Sequence, residues 1–255
     1  MILIANTYSV GLFFGLNVFF MRIFTIINDL KQIEYQDIFC IVRAYIGYVT
    51  CAALNYSFLL QAIYRYIIVV YPTRLFLQSL KFQILLIIIT WIFSFIYPFP
   101  FLFNNKIIYN IDNQICQLPL QRSFIIIYMS SCTYTIPILS VIFTYIKLIR
   151  YVHQMSKRVI SVAIYSRAKK ELQMVKRLVV LVTILTLICF PYEIFVIMSL
   201  FTNPPVYHFR IAYIFVDSAY TLIMIILFQF TELLKRFLTR KLKKATNVVG
   251  VARIA

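Results

Sequence analysis

Glycine and histidine are scarce in this sequence, which contains four glycines and two histidines among 255 residues. So few glycines leave no phosphate-binding loop of the P-loop or Rossmann type. The two histidines, His153 and His208, lie in different hydrophilic stretches. A metal cluster or a histidine-based catalytic triad is therefore difficult to assemble. The residues favour neither an enzyme nor a cofactor-binding protein.

Charged residues are also few, at 13% of the chain, whereas 62% of the residues are hydrophobic. A soluble domain of this length has no interior large enough to bury so much apolar surface. The composition therefore predicts an integral membrane protein. The formal net charge of +17 could suggest nucleic-acid binding, but a basic membrane protein usually carries such charge in its cytoplasmic loops. We therefore expect no nucleic-acid partner.

Six apolar stretches are long enough to cross a bilayer, which requires about 20 residues of helix. Short polar connections that hold most of the charge separate these stretches. The predicted spans are 2–20, 38–70, 82–103, 124–149, 178–201 and 211–230. The sequence therefore predicts an all-α, polytopic transmembrane helix bundle over 1–231, followed by a cytoplasmic amphipathic helix and basic tail over 232–255.

Lysine and arginine are distributed unequally between the two sides of this bundle. One side holds 19 of the 25 basic residues, in the connections 70–81 and 150–177, the segment after 230, and the helix-end residues Arg65 and Lys147. The positive-inside rule makes this side cytoplasmic, and all six spans then alternate without conflict. A bias that reflects loop length alone is the alternative interpretation.

The cytoplasmic end of the second span has the sequence AIYRYIIVVYP over residues 62–72. This segment resembles the inner end of the third helix in rhodopsin-like G-protein-coupled receptors, where an acid-Arg-Tyr element precedes a short apolar run and a proline. Tyr64 stands in place of the acid, and Arg65 and Tyr66 match the rest. On this resemblance the six spans are the family's second to seventh helices. No residues match its first helix, so either the protein has six spans or the first helix is missing from this sequence.

Further spacings carry the same resemblance. Trp91 lies in the third span as in the family's fourth helix, and Pro137 is followed eight residues later by Tyr145 as in its fifth. Pro191 resembles the kink proline of the sixth helix. A proline inside a membrane helix removes a backbone hydrogen bond and kinks the helix, so Pro137 and Pro191 are candidate pivots. Residues 231–238 resemble the amphipathic surface helix that follows the family's last span.

The resemblance also implies a disulfide bond between Cys40 and Cys116. Cys40 lies 25 residues before Arg65, where the family keeps a cysteine bridged to an outer loop, and Cys116 lies in the next outer loop. The outer side is oxidising, which suits a disulfide between facing loops. Two unpaired thiols are the alternative. The other three cysteines fall inside spans, where we expect them to act as apolar side chains.

Arg65 carries a charge at the inner end of an apolar helix, where an unpaired charge is costly. Glu171 lies 20 residues before Pro191, where many members of the family place an acid. The hypothesis is that Glu171 pairs with Arg65 in the resting state, and that opening of the helices frees Arg65 and Tyr145 to meet a G protein. Alternatively, Glu171 pairs with Arg167, four residues earlier on its own helix.

The stretch 166–177 contains five lysines and arginines. We expect it to extend the fifth span into the cytoplasm as a basic helix. Such a face can contact anionic lipid headgroups or a signalling partner.

Glu193 and Asp217 are the two acids inside the predicted spans. An ionisable residue within the membrane is a functional candidate, because its burial is costly. At about 1.5 Å per residue, both lie roughly 9–12 Å below the outer ends of their helices. Together with Arg43, they predict a ligand pocket for a cationic group on a small molecule or peptide. The alternatives are a structural salt bridge, for instance Arg43 with Asp217, or a protonated carboxyl group.

Several marks of the family are absent from the sequence. Gly11 stands in place of the sodium-site aspartate, Cys189 in place of a tryptophan, and Gly47 in place of the aspartate of amine receptors. The sixth span has no proline and so lacks the Asn-Pro-x-x-Tyr element. These departures argue against sodium regulation, the ordinary activation relay and a biogenic-amine ligand.

The resemblance implies a receptor in the plasma membrane with a cytoplasmic C-terminal tail. It would bind an extracellular ligand in the outer half of the bundle and activate a heterotrimeric G protein. One alternative is a receptor-like protein that does not signal, and another is a six-span transporter or channel. A transporter is expected to show repeated halves or polar residues along a path, whereas the polar positions here cluster at the two ends.

Overall fold

A computed structural model describes residues 2–31, 37–104, 106–120, 124–156, 162–202 and 204–230. This part of the chain is mainly helical. Its helices are α1 (Ile2–Lys31), α2 (Cys40–Val70), α3 (Leu75–Gln78), α4 (Leu80–Ile96), α5 (Pro100–Phe103), α6 (Phe124–Ser130), α7 (Ile136–Ser156), α8 (Val162–Phe201) and α9 (His208–Phe230). A π-helical turn, Ser131–Thr135, joins α6 to α7, and strands β1 (Ile108–Asn110) and β2 (Ile115–Gln117) pair antiparallel. The predicted amphipathic helix over 231–238 and the tail over 232–255 lie outside the described residues.

Six helical segments of the described residues are long and apolar enough to cross a bilayer, which confirms the predicted number of spans and the all-α bundle. Helices α1 and α8 extend furthest beyond the predicted spans, and α7 also continues past residue 149 to Ser156. Helix α1 continues past residue 20 to Lys31, because residues 21–28 still bury one face against the bundle. Helix α8 has 40 residues and is therefore about 60 Å long, so its inner part projects beyond the hydrocarbon.

Helix α2 lies at the centre of the bundle and packs against α1, α4, α7 and α8. Its membrane segment is 56% buried, compared with 12–33% for the other five spans. Small side chains let neighbouring helices approach closely, and close packing holds membrane helices together. The buried alanines of α2 are Ala44, Ala52, Ala53 and Ala62. The central position of α2 places its outer end beside strands β1 and β2 and its inner end beside α7 and α8.

A glycine allows close contact between α1 and α9. A Cβ atom at Gly15 would collide with the ring of Tyr220. The Tyr220 hydroxyl donates to the carbonyl of Gly11 at 2.6 Å, and its ring packs edge-on against Phe14 with 5.4 Å between the centroids. Any larger residue at position 15 would therefore displace Tyr220 from the backbone of α1.

The β1–β2 hairpin covers the outer side of the bundle and is attached to two helices. Cys116 on β2 forms a disulfide with Cys40 at the start of α2, with 5.5 Å between the Cα atoms, which confirms the predicted bond. Asn113, in the turn of the hairpin, donates to the carbonyl of Val206 at 2.8 Å and accepts from the backbone N–H of Arg210 at 3.2 Å. The hairpin is thus tied to α2 on one side and to the start of α9 on the other.

The fold predicts that Ile111 and Lys170 lie on opposite sides of the membrane. Ile111 is exposed in the hairpin turn, and Lys170 is exposed on the inner part of α8. We expect Ile111→Cys to react with a membrane-impermeant maleimide on intact cells, and Lys170→Cys to react only after permeabilisation. The unsubstituted chain, whose free Cys132 and Cys189 are buried, gives the background. Labelling of both positions on intact cells would contradict this topology.

Candidate functional site

A cavity of about 80 Å³ lies in the outer half of the bundle, beneath the hairpin. Its walls come from α1, α2, α6, the π-helical turn, α8 and α9, and from Gln117 and the residues that follow it. Among the described residues that line the cavity, none is charged. Its polar lining residues are Asn17, Tyr48, Cys51, Gln117, Ser130, Thr133, Tyr134, Tyr192 and Tyr213. Apolar walls with a few convergent polar groups are typical of a small-molecule site.

Gln117 connects three parts of the cavity wall. Its side chain accepts a hydrogen bond from the Tyr48 hydroxyl on α2 and donates one to the Tyr213 hydroxyl on α9. The Tyr48 hydroxyl also accepts the backbone N–H of Leu118 at 3.1 Å. The neighbouring Cys116 is held by its disulfide. The disulfide therefore positions a polar lining group as well as attaching the hairpin to α2.

Pro137 accounts for the π-helical turn in the cavity wall. Proline has no backbone N–H, so the carbonyl of Thr133, four residues earlier, loses its helical partner. The Asn55 side chain on α2 donates to that carbonyl at 2.9 Å, and the Thr133 hydroxyl lies 3.0 Å from the Tyr97 hydroxyl. Single π-helical turns are frequent at functional sites, and this one presents Tyr134 to the cavity.

None of the three residues predicted to form a ligand pocket lines the outer cavity. Glu193 accepts a hydrogen bond from the cavity residue Ser130 at 3.2 Å, but Glu193 itself does not line the cavity. The Nη2 atom of Arg43 lies 2.8 Å from a carboxylate oxygen of Asp37. The Arg43 guanidinium also lies over the ring of Phe24, 3.8 Å from its centroid. Arg43 is therefore held at the outer end of the bundle, away from Glu193.

Asp217 pairs with Arg22, whose Nε atom lies 2.7 Å from Oδ2 of the carboxylate. The alternative pairing of Asp217 with Arg43 is therefore wrong, because each of these residues has another partner. The Arg22 guanidinium also lies over the ring of Tyr213, 4.8 Å from its centroid. The sequence prediction missed Arg22 because it ended the first span at residue 20. The apolar face that continues to Lys31 could have revealed it.

A second ion pair joins the same two helices nearer their outer ends. Two guanidinium nitrogens of Arg210 lie 2.6 and 3.1 Å from the two carboxylate oxygens of Asp29. The Nε atom of Arg210 also donates to the carbonyl of Asp112 in the hairpin turn at 3.0 Å. Helices α1 and α9 and the hairpin are thus connected at the outer end of the bundle.

At the inner end of the bundle, the structure brings Arg65 and Glu171 together. Nη1 of Arg65 lies 2.9 Å from Oε2 of Glu171, and the two side chains are 22% and 12% exposed. Tyr66 and Tyr145 pack in the apolar cluster that α2, α7 and α8 form at this end. The side chain of Arg167, the alternative partner of Glu171, lies outside the described residues.

Cysteine and histidine side chains do not form a metal site in the described part of the chain, where no group of three or more potential metal ligands occurs. The thiol of Cys51 lies 3.1 Å from the Tyr134 hydroxyl. Cys51, Cys132 and Cys189 are free thiols, and they pack among apolar side chains of the bundle.

Comparison with known proteins gives one family and one fold. The family model described as "7 transmembrane receptor (rhodopsin family)" matches residues 2–234. The crystal structure of squid rhodopsin superposes with a TM-score of 0.77 at 16% sequence identity, covering 96% of this chain and 75% of that chain. No curated protein matches the chain. At this level of identity, the likeness to squid rhodopsin shows a shared fold.

The Arg22–Asp217 pair is expected to stabilise the fold more than the Arg43–Asp37 pair does. Arg22 lies nine residues, or about 13 Å, before the outer end of α1, whereas Asp37 precedes the first residue of α2, so the Arg22–Asp217 pair lies nearer to the hydrocarbon. We expect Asp217→Asn to lower the stability by about 1–3 kcal/mol, and Asp37→Asn by less than about 1 kcal/mol.

The measurement is thermal unfolding in lipid nanodiscs, followed with a dye that reacts with newly exposed thiols. The double variant Arg22→Asp with Asp217→Arg should recover part of the loss. Equal losses of stability in Asp217→Asn and Asp37→Asn would show that the Arg22–Asp217 pair stabilises the fold no more than the Arg43–Asp37 pair does.

Proposed function

The chain belongs to the rhodopsin family of seven-transmembrane receptors, and on that basis we propose how its cavity and its inner ion pair act together. Proteins of this family are receptors that signal through G proteins and catalyse no reaction. We propose that an extracellular ligand occupies the outer cavity and shifts α8 relative to α2. This movement releases Arg65 from Glu171, and a heterotrimeric G protein then binds the inner face. The observation that supports the proposal most is the Arg65–Glu171 contact.

The Arg65–Glu171 contact matters because an unpaired charge at this position is costly. A guanidinium at the edge of the hydrocarbon needs a counter-charge or water. In the closed arrangement Glu171 supplies the counter-charge at 2.9 Å. If α8 moves outward, Arg65 loses this partner and becomes available to groups of a cytoplasmic protein. Tyr66 and Tyr145, which pack in the same inner cluster, would be uncovered by the same movement.

Helix α8 can transmit a conformational change from the cavity to the Arg65–Glu171 pair. Tyr192 lines the cavity, and Glu171 lies 21 residues earlier on the same helix, about 30 Å away. Pro191 lies inside α8, directly before Tyr192, and prolines in membrane helices serve as pivots. In this proposal Pro191 is the pivot of α8, and Pro137 allows the adjacent wall to adjust.

Basic side chains on the inner part of α8 suit contact with anionic lipid headgroups. Lys169, Lys170 and Lys176 are exposed there. Each lysine near an anionic leaflet contributes about 1 kcal/mol of attraction. Such contact would hold the projecting part of α8 close to the membrane surface without blocking Glu171.

Neutralising Glu171 is expected to activate the receptor without ligand. A partly shielded ion pair contributes on the order of 1 kcal/mol, so Glu171→Gln should raise basal GDP–GTP exchange on a co-expressed G protein about fivefold. Lys81→Gln removes an exposed charge on α4, outside the ion pair and the basic part of α8, and should leave basal exchange unchanged. Surface expression is measured in parallel, so that exchange is compared per receptor.

Two outcomes would contradict this proposal in different ways. Unchanged basal exchange for Glu171→Gln, with normal surface expression, would show that the pair does not hold the resting state. Absence of exchange on every G protein tested, for all variants, would favour the receptor-like protein that does not signal.

A further inference from the structure

We propose that the outer cavity binds an uncharged ligand, and that Asn17 on α1 and Tyr192 on α8 recognise its hydrogen-bonding group. This inference rests on the proposed function, because it names the class of molecule that the same cavity takes. Two observations carry it: the absence of charge from the described lining, and two polar lining groups that lack a strong partner in the protein.

The charged groups Arg22, Glu193 and Asp217 do not line the cavity. The carboxylate of Asp217 is held by Arg22 at 2.7 Å. Glu193 is hydrogen-bonded to Ser130 and does not line the cavity. A ligand ammonium or carboxylate would therefore lose its hydration without gaining a counter-charge, which is strongly unfavourable. A neutral group avoids this cost.

Several polar groups of the lining already have partners within the protein. Tyr48, Gln117 and Tyr213 form one hydrogen-bonded chain. The hydroxyl of Tyr134 lies 3.1 Å from the thiol of Cys51. These groups shape the wall and fix its position, and they do not require a ligand to satisfy them.

Asn17 and Tyr192 differ from these groups. Asn17 is 9% exposed, and its Nδ2 atom contacts the sulfur of Met21 at 3.5 Å. A thioether is a weak acceptor, so the amide is poorly satisfied, and a buried donor without a good partner is costly. Within the described part of the chain, the structure gives the Tyr192 hydroxyl no hydrogen-bond partner. A ligand amide, carbonyl or hydroxyl placed between α1 and α8 would satisfy both.

The size of the cavity also restricts the ligand. At about 80 Å³, it is smaller than the roughly 300–1,000 Å³ of a site for a drug-sized molecule. It therefore admits a small neutral molecule or the neutral end of a larger one. A larger group must move Tyr192 and hence α8, which couples binding to the proposed opening of the inner end.

A matched set of small aromatic probes tests the inference. Benzamide is neutral, whereas benzylammonium and benzoate carry opposite charges on a similar ring. Each is added to the full chain in lipid nanodiscs at neutral pH, and thermal unfolding is followed with the thiol-reactive dye. We expect benzamide at ten times its dissociation constant to raise the midpoint by about 4 °C, and the two charged probes to leave it unchanged.

Variants test whether Asn17 and Tyr192 are responsible for the benzamide shift. Asn17→Leu and Tyr192→Phe should each abolish the benzamide shift. Tyr45→Phe is the matched control and should retain it, because the Tyr45 hydroxyl donates to the carbonyl of Phe95 at 2.8 Å and lies outside the cavity. Asn17→Asp supplies a negative charge and should transfer the response from benzamide to benzylammonium.

Several outcomes would overturn the inference. One is a shift with benzylammonium or benzoate that equals the benzamide shift in the unsubstituted chain. A benzylammonium shift that Glu193→Gln removes would instead favour the acidic pocket predicted from the sequence. No shift with any probe, or a benzamide shift that survives both Asn17→Leu and Tyr192→Phe, would also contradict it. The readout requires no G protein, so failure of the proposed signalling function would be seen separately, in nucleotide exchange.

Discussion

Polar and charged groups within the hydrocarbon must find partners inside the protein, and this requirement arranges the helices of the receptor. At the inner end, the charge of Arg65 on α2 is met by Glu171 on α8. In the outer half, Arg22 on α1 is met by Asp217 on α9. In the middle, the backbone carbonyl left free by a proline is met by Asn55 on α2. Each of these contacts joins separate helices. The contacts that satisfy the polar groups therefore also fix how the helices pack.

The two ends of the bundle are held in different ways. The outer end has a disulfide, a hairpin bonded to α9, and two ion pairs between α1 and α9. Within the described residues, the inner ends of α2 and α8 are joined by the ion pair of Arg65 with Glu171 and by apolar contacts. A covalently tied outer end suits a pocket of fixed shape. An inner end held by apolar contacts and one partly shielded ion pair, without a covalent bond among the described residues, suits a part that opens and closes.

Hydropathy alone predicts the number of spans, because each span needs about 20 apolar residues, and the distribution of lysine and arginine predicts their orientation. Neither predicts where a helix ends, since a helix can continue beyond the hydrocarbon. Helix α1 therefore extends to Lys31 and carries Arg22 to Asp217, a pair that the shorter predicted span does not contain.

Some of the site residues can likewise be predicted from the sequence, and others cannot. The resemblance at residues 62–72 and the spacing of Glu171 from Pro191 suggest the Arg65–Glu171 pair as a hypothesis from the sequence, with Arg167 as the alternative partner. Depth in the membrane does not specify which face of a helix a side chain occupies, and neither Glu193 nor Asp217 lines the outer cavity. The part played by Gln117 depends on the position of the hairpin, which local sequence does not specify.

Whether the Arg65–Glu171 pair holds α2 and α8 together can be measured as the distance between the inner ends of the two helices. Leu75, next to the inner end of α2, and Lys169 on α8 are both exposed. Spin labels at Leu75→Cys and Lys169→Cys, in a chain whose free cysteines are replaced by alanine, allow this distance to be measured by pulsed electron resonance. We expect one short distance in the resting chain and a second, longer population when Glu171→Gln is added. Identical distance distributions with and without Glu171→Gln would contradict this expectation.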